Sequence, residues 1–349
     1  MKNFEKHLIK KGSKVKEALA QLSDLSPDVI LFVVDDNKKL IGSLTDGDIR
    51  KGLIQGFNIE NSIDEIIYSK PIFIRKGEHK IEKLIEYREK LYRIIPVLAL
   101  DNKIVDVINF RNIKSYLPVD AIIMAGGKGK RLLPLTADTP KPLLKVGEKP
   151  IIEHNIDRLS LFGVNNIWIS INYLGDKIEQ YLGNGLSKNI NISYVREKTP
   201  LGTIGAVSQI NNLKHEYIII LNSDLLTNFN YENFFSYFIK QSADMVVATM
   251  PYKVNIPYAV LETDNEKVIN FKEKPTYTYH SNAGIYLIKK SVLNYLPKNQ
   301  FYNATDLLNK MISLNKKVFS YPLMEYWLDI GSPSDFQKAQ QDIKKIDLK

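Results

Sequence analysis

The segment of this 349-residue chain richest in chemistry-bearing side chains runs from 125 to 150, AGGKGKRLLPLTADTPKPLLKVGEKP. Gly126, Gly127 and Gly129 follow directly on a β-rich run, VDAIIMA, with Ala125 at the junction. Glycines after a strand let the backbone approach a ligand closely and turn N–H groups onto phosphate oxygens. Lys128, Lys130, Arg131 and Lys141 surround this loop. Arginine clamps two phosphate oxygens at once, and lysine supplies a point charge. Taken singly, such glycines are ordinary tight turns and such cations ordinary surface charge. No Gly-Lys-Ser/Thr closes the loop, which excludes a P-loop, and the spacing is not the Gly-x-Gly-x-x-Gly of dinucleotide folds.

Two carboxylates complete the set. Asp224 follows the strand-like EYIIILNS, and Asp329 follows EYWL. Placed at strand ends, both would stand on the carboxyl edge of a sheet and could share one Mg²⁺, which takes few carboxylates together with substrate phosphates. Alone, Asp224 reads equally well as a turn or N-cap residue, and Asp329 as a turn before Gly331. Phosphoryl chemistry needs metal and cationic clamps because charge spreads over the transferring group. The combination of basic glycine loop and paired aspartates points there.

These residues resemble the signature GGxGxRLxPLTxxxPKPL of the nucleoside-diphosphate-sugar pyrophosphorylases, the sugar-1-phosphate nucleotidyltransferases. The resemblance continues in order through most of 119–349. REKTPLGTIGA at 196–206 is similar to the family's base-recognition loop, and FKEKP at 271–275 to its sugar-phosphate contact. NAGIYL at 282–287 resembles its sugar-side strand, and LNSDLL and WLDIGSPSDF its two metal aspartate segments. The resemblance implies that Arg131 and Lys141 neutralise a triphosphate and its leaving pyrophosphate, and that Asp224 and Asp329 hold Mg²⁺. It gives Ala125, Gly126, Gly127, Gly129, Gly202 and Thr203 to the nucleotide. It gives Glu273 to sugar hydroxyls, Lys274 to the sugar phosphate and Asn282 to a further sugar hydroxyl. The implied reaction is a single displacement that makes an NDP-sugar from a sugar 1-phosphate and an NTP. PLGTIGA resembles the guanylyltransferase branch and favours GTP over the UTP or CTP of related enzymes. The domain architecture resembles glucosamine-1-phosphate guanylyltransferases of legionaminic-acid pathways; mannose and heptose 1-phosphates are the alternatives. A non-catalytic regulatory subunit of the same fold is the competing class. It would tend to lose Arg131, Lys141, Asp224 or Asp329, and all four are present.

The elements that must position these residues are legible in outline. From 119 onward strands such as NNIWISIN, NISYV and DMVVATMPY alternate with helical stretches such as IEHNIDRLSLFG and IGAVSQINNL. That alternation predicts an α/β domain with a Rossmann-like, mixed but mostly parallel sheet, and the resemblance adds that it is GT-A-like. Before the break at Leu117-Pro118 the chain reads as an α+β near-repeat, about 1–57 and 58–117. Its order is helix, strand, turn, strand, helix. The second copy begins at IDEII (63–67), has a helix over 79–90 and ends in a helix over FRNIKSYL. GSLTDGDIR at 42–50 resembles the Gly-x-x-Thr-x-x-Asp ligand motif of CBS domains, so 1–117 resembles a tandem CBS (Bateman) module. That implies contacts from Thr45 to phosphate and from Asp48 to ribose of an adenine nucleotide. Thr45 also reads as a helix cap. The second copy has neither residue. Such pairs usually associate, which predicts a homo-oligomer.

Composition narrows the partners. No cysteine occurs, so disulfides, thiolate metal sites and a cysteine nucleophile are excluded. The net charge is +9, but it is scattered, without a basic block. It reads as mixed surface charge, so no nucleic-acid partner is expected. The N-terminal stretch lacks the apolar core of a signal peptide and no run is long enough to span a membrane, which predicts a cytoplasmic protein.

Overall fold

The computed structural model describes residues 3–77 and 80–348, which fall into two compact units, Met1–Tyr116 and Leu117–Lys349. In the first unit come β1 (Leu8–Lys10), α1 (Val15–Asp24), β2 (Ile30–Val34), β3 (Leu40–Thr45) and α2 (Asp46–Ile54). They are followed by β4 (Ile74–Arg75), α3 (Ile81–Glu89), β5 (Ile94–Leu98) and β6 (Ile104–Asn109). The strands make two sheets, β1-β2-β3 and β4-β5-β6, each parallel in its first pair and antiparallel in its second. Their turns bond to one another: Leu40 N–H donates to the Asn102 carbonyl, and Ile104 N–H to that of Lys38. Phe32, Val34, Leu98 and Ile104, drawn from both sheets, form one buried cluster.

The repeat is imperfect in two places. Ile63, Ile66 and Ile67, expected to open the second copy, pack with Val15, Leu31, Leu44 and Ile49 of the first. The reason is a backbone bond from Ile63 N–H to the Ser13 carbonyl. The helix expected over 110–117 does not form. At its start Asn109 sends its amide to Asp28 at 2.5 Å and accepts the Arg111 N–H at 2.9 Å, so the chain turns instead. The first residue of the helix expected over 79–90, His79, lies outside the described residues; the rest is α3.

The second unit begins with β7 (Val119–Ala125), the short hairpin β8 (Lys145–Val146) and β9 (Lys149–Pro150), α4 (Ile151–Leu161) and β10 (Asn166–Ile171). There follow α5 (Gly175–Leu182), β11 (Asn191–Arg196), β12 (Tyr217–Asn222), β13 (Leu225–Thr227), α6 (Tyr231–Lys240) and β14 (Met245–Asn255). The last elements are β15 (Val260–Asp264), β16 (Lys267–Lys272), β17 (Thr276–Lys289), α7 (Ala304–Ser313), β18 (Val318–Pro322), β19 (Trp327–Asp329) and α8 (Pro333–Asp342). Seven strands form one sheet in the order β11-β10-β7-β12-β17-β14-β18. Only β17 opposes its neighbours, so the sheet is mixed and rich in parallel pairs. The inner strands β7, β10 and β12 are apolar nearly throughout, as burial on both faces requires.

At the start of β7, Asp120 is fully buried. It accepts the backbone N–H of Lys214 and His215 at 2.6 and 2.9 Å, the Asn166 amide at 2.5 Å and the His215 ring at 3.0 Å. The helix expected over 204–213 shrinks to a 3-10 turn, Gly205–Gln209. Ile204 and Gly205 both donate to the Tyr302 carbonyl at 3.1 Å, which ties this segment to the approach to α7 instead of to itself. A buried cluster of Leu132, Leu144, Val146, Ile151, Leu226, Leu328, Ile330 and Ala339 includes a residue within three positions of each of Arg131, Lys141, Asp224 and Asp329.

Candidate active site

The glycine loop leaves the carboxyl end of β7. Gly129 sits at φ +61°, and a Cβ there would stand 3.0 Å from Thr136 Cγ2 and 3.1 Å from Lys141 Cβ. Only glycine fits. The Thr136 hydroxyl donates to the Gly129 carbonyl at 2.9 Å and holds the bend. This folds Lys141 back, so that its ammonium pairs with Asp224 and lies 4.0 Å from Asp329 Oδ1. Asp329 does not end a strand of the main sheet, as the sequence suggested. It ends β19, which pairs only with β13, Leu225 opposite Asp329. Ile330 N–H donates to the Asp224 carbonyl at 3.0 Å. A three-residue antiparallel ribbon thus sets the two aspartates side by side. Both guanidinium Nη atoms of Arg131 lie 3.3 Å from where a Cβ on Gly331 would be, two residues from Asp329.

The electrostatics are unfinished within the protein. Asp224 Oδ1 and Asp329 Oδ1 are both buried and accept no hydrogen bond. Burial, and next the charge of Asp224, push the Asp329 carboxyl above its ordinary value; Lys141 and Arg131 oppose this. Uncompensated buried carboxylate oxygens are costly. Two of them together suit a hard divalent cation with oxygen ligands. Among the described residues no third carboxylate, histidine or cysteine joins them. Remaining ligands would therefore come from water and phosphate oxygens, the pattern Mg²⁺ favours.

The other expected contacts are placed unevenly. Gly202 has φ +79°, and a Cβ there would collide with the Tyr302 carbonyl at 2.6 Å. The Thr203 hydroxyl accepts the Ala304 N–H at 2.8 Å, so it caps α7 and fixes the loop. Asn282 donates to the Tyr286 hydroxyl at 2.7 Å and accepts the Gly284 N–H at 2.9 Å. It joins the aspartate group through its neighbours, because Trp327 of β19 donates to the Ala283 carbonyl. Glu273 and Lys274 are exposed between β16 and β17, and no described bond ties them to the aspartates. In the first unit Thr45 and Asp48 form a reciprocal cap. Asp48 accepts from the Thr45 N–H at 2.9 Å and hydroxyl at 2.6 Å, and donates its own N–H back at 3.3 Å. A cavity of about 330 Å³ in that unit is lined elsewhere, by Lys10, Lys11, Gly12, Val34, Asp35, Asp36 and Asp64.

The nucleotidyl transferase family profile matches residues 120–346, a span holding the glycine loop, both cations and both aspartates. The chain belongs to the nucleotidyl transferase family. The CBS domain profile matches residues 7–55, which include Thr45 and Asp48. D-glycero-α-D-manno-heptose 1-phosphate guanylyltransferase of Aneurinibacillus thermoaerophilus is 32% identical over 232 residues, 65% of this chain and 99% of that protein. Mannose-1-phosphate guanylyltransferase of Mycobacterium tuberculosis is 27% identical over 231 residues. The chain spans 64% of that relative's length, under two thirds. Among solved structures, HddC from Yersinia pseudotuberculosis complexed with GMP-PN superposes with TM-score 0.50 at 24% identity, covering 64% of this chain and 99% of HddC. A Bacillus anthracis protein assigned as a glucose-1-phosphate thymidylyltransferase gives 0.54 at 24%, over 66% of this chain and 96% of that one. Both share the nucleotidyl transferase fold.

One residue of this nucleotidyl transferase site escaped the sequence reading. Glu197, only 8% exposed, accepts the Ser170 hydroxyl at 2.6 Å and the Leu201 N–H at 3.0 Å. A Cβ on Gly126 would stand 2.8 Å from its Oε1. Glu197 therefore joins the glycine loop to the 200–206 loop. It lies inside the 196–206 segment, and its place directly after β11 is the signal that marks it out.

Proposed function

We propose that the chain is a cytoplasmic sugar-1-phosphate nucleotidyltransferase that uses GTP and Mg²⁺ and releases pyrophosphate. The observation that carries this reading is the pair of buried oxygens on Asp224 and Asp329 that accept no hydrogen bond, with Lys141 and Arg131 beside them after the glycine loop. A phosphate oxygen of the sugar 1-phosphate attacks the α-phosphorus of the nucleotide. The new P–O bond forms as the bond to the β-phosphate breaks, and pyrophosphate leaves in line. No general base is needed, because the attacking group is already an anion. Asp224 and Asp329 would hold Mg²⁺, which when bound neutralises charge gathering on the triphosphate. Lys141 and Arg131 hold the departing phosphates, and the N–H groups of Gly126, Gly127 and Gly129 face the chain of phosphates.

Two things support GTP. The relatives above are named guanylyltransferases. Glu197 also places a carboxylate with spare lone pairs beside Gly126, and guanine presents two adjacent donors, N1–H and N2–H, that a carboxylate accepts as a pair. For the sugar we propose glucosamine 1-phosphate, from the resemblance in domain architecture; heptose and mannose 1-phosphates are the competing readings. The N-terminal module would bind an adenine nucleotide through Thr45 and Asp48 and associate with a second copy. The test is pyrophosphate release with Mg²⁺ over GTP, UTP, CTP, ATP and dTTP, each with glucosamine, mannose, heptose and glucose 1-phosphates. The expected result is turnover with GTP and glucosamine 1-phosphate; turnover only with another base overturns the guanylyl assignment.

A further inference from the structure

We propose that Trp327 is a positioning residue that holds the sugar-side strand in register with the paired aspartates; this rests on the sugar-1-phosphate reading above. Strand β17 does not run evenly beside β14. Tyr286 faces Val247 and Asn282 faces Thr249, so Ala283, Gly284 and Ile285 together oppose the single residue Ala248. Such a bulge disrupts the ladder locally, and its backbone groups must find other partners. The Ala283 carbonyl accepts the Trp327 indole N–H at 2.9 Å. Gly284, at φ +71°, turns its N–H to Asn282 Oδ1 at 2.9 Å. A Cβ on Gly284 would stand 2.6 Å from Asn222 Nδ2, so the bulge also rests against the end of β12.

Both anchors lead to the aspartates. Asn222 precedes Asp224 by two residues. Trp327 precedes Asp329 by two, and alternation along β19 puts both on one face of the ribbon, with the buried Leu328 on the other. Asn282 directly precedes the bonded Ala283. The indole is thus a strut between the strand carrying Asp329 and the strand carrying Asn282. A bulge left without it is free to shift, and Asn282 shifts with it.

The test is Trp327→Phe, which keeps an aromatic ring and removes the donor. The KM for the sugar 1-phosphate that supports turnover, chosen from glucosamine, mannose, heptose and glucose 1-phosphates, should rise about fivefold to tenfold. The KM for the nucleotide should stay within about twofold and the melting temperature should fall by only about 2–4 °C, since one donor and part of one ring are lost. Gly284→Ala, which disturbs the bulge from the other side, should show the same selective defect. Equal losses for both substrates, or no loss, overturn the proposal. A wild-type chain inert with every pair of substrates overturns the transferase reading instead, and a second readout then decides this one. The chain has two tryptophans, so Trp168→Phe leaves Trp327 as the only indole. Its emission should change when glucosamine, mannose or heptose 1-phosphate is added, and an emission unchanged by all three overturns the proposal.

Discussion

Lys141→Met should weaken the empty protein and yet tighten its hold on a divalent cation. The ammonium stands where the two aspartates most need positive charge. Its side chain is 11% exposed, that of Asp224 19% and that of Asp329 41%. At the 4.0 Å between the ammonium and Asp329 Oδ1, unit charges at an effective dielectric constant of about 20 interact by roughly 4 kcal/mol. Solvent at Asp329 screens that, and about 2 kcal/mol is the reasonable remainder. For a unit of this size the loss lowers the melting temperature by about 4–8 °C. The same ammonium repels any metal entering between the carboxylates. Removing it should improve Mg²⁺ affinity by roughly tenfold, about 1.4 kcal/mol. Thermal-shift titrations with Mg²⁺ and no nucleotide read both effects. The variant should melt lower in chelator, half-saturate at about one tenth of the wild-type Mg²⁺ and recover most of the deficit, while transfer is lost. A variant as stable as wild type in chelator, or one that binds Mg²⁺ no better, refutes the reasoning.

Further outcomes follow from individual contacts. Glu197→Gln keeps the size but replaces one acceptor by a donor, so kcat/KM for GTP should fall about tenfold or more against UTP; an unchanged GTP-to-UTP ratio counts against Glu197 as the base reader. Burial would raise the Asp120 carboxyl, but bonds from His215 and Asn166 outweigh it and hold it below its ordinary 3.8. Its stabilisation is therefore fully present above about pH 4 and is lost progressively as pH falls below that, through the lower folded-state value. Asp120→Asn should flatten the acid side of the melting curve, and wild-type and variant curves of equal acid slope contradict this. Asp48→Ala breaks the cap of α2, which should cost about 1 kcal/mol in the first unit. It should also abolish any AMP- or ATP-induced shift in melting while leaving basal pyrophosphate release intact; a nucleotide shift that survives places the ligand elsewhere.

The sequence disclosed residue types more readily than the connections between them. The glycine loop, the two cations and the aspartates could be named because few other arrangements put those types after apolar strands. The inner strands were equally plain, since a run such as YIIILN, buried on both faces, admits little else. Short elements were not legible. The β13–β19 ribbon has three residues a side, less than two periods of alternation, so nothing in the pattern showed that Asp329 leaves the main sheet. The segment 204–213 has helical composition, but two backbone bonds to Tyr302 decided its shape from a distance of about a hundred residues in the chain. Glu197 and Trp327 were hidden for the same reason. A carboxylate and an indole take their roles from partners that spacing along the chain does not reveal.

Asp224 is the centre of the proposed metal site. Asp224→Asn keeps the size of the side chain and one acceptor while removing its charge from the centre. Pyrophosphate release from GTP and the preferred sugar 1-phosphate, measured with saturating Mg²⁺, should fall by about a thousandfold or more, a loss of roughly 4 kcal/mol in transition-state stabilisation. A variant that turns over at near the wild-type rate contradicts the assignment of the paired aspartates as the catalytic centre.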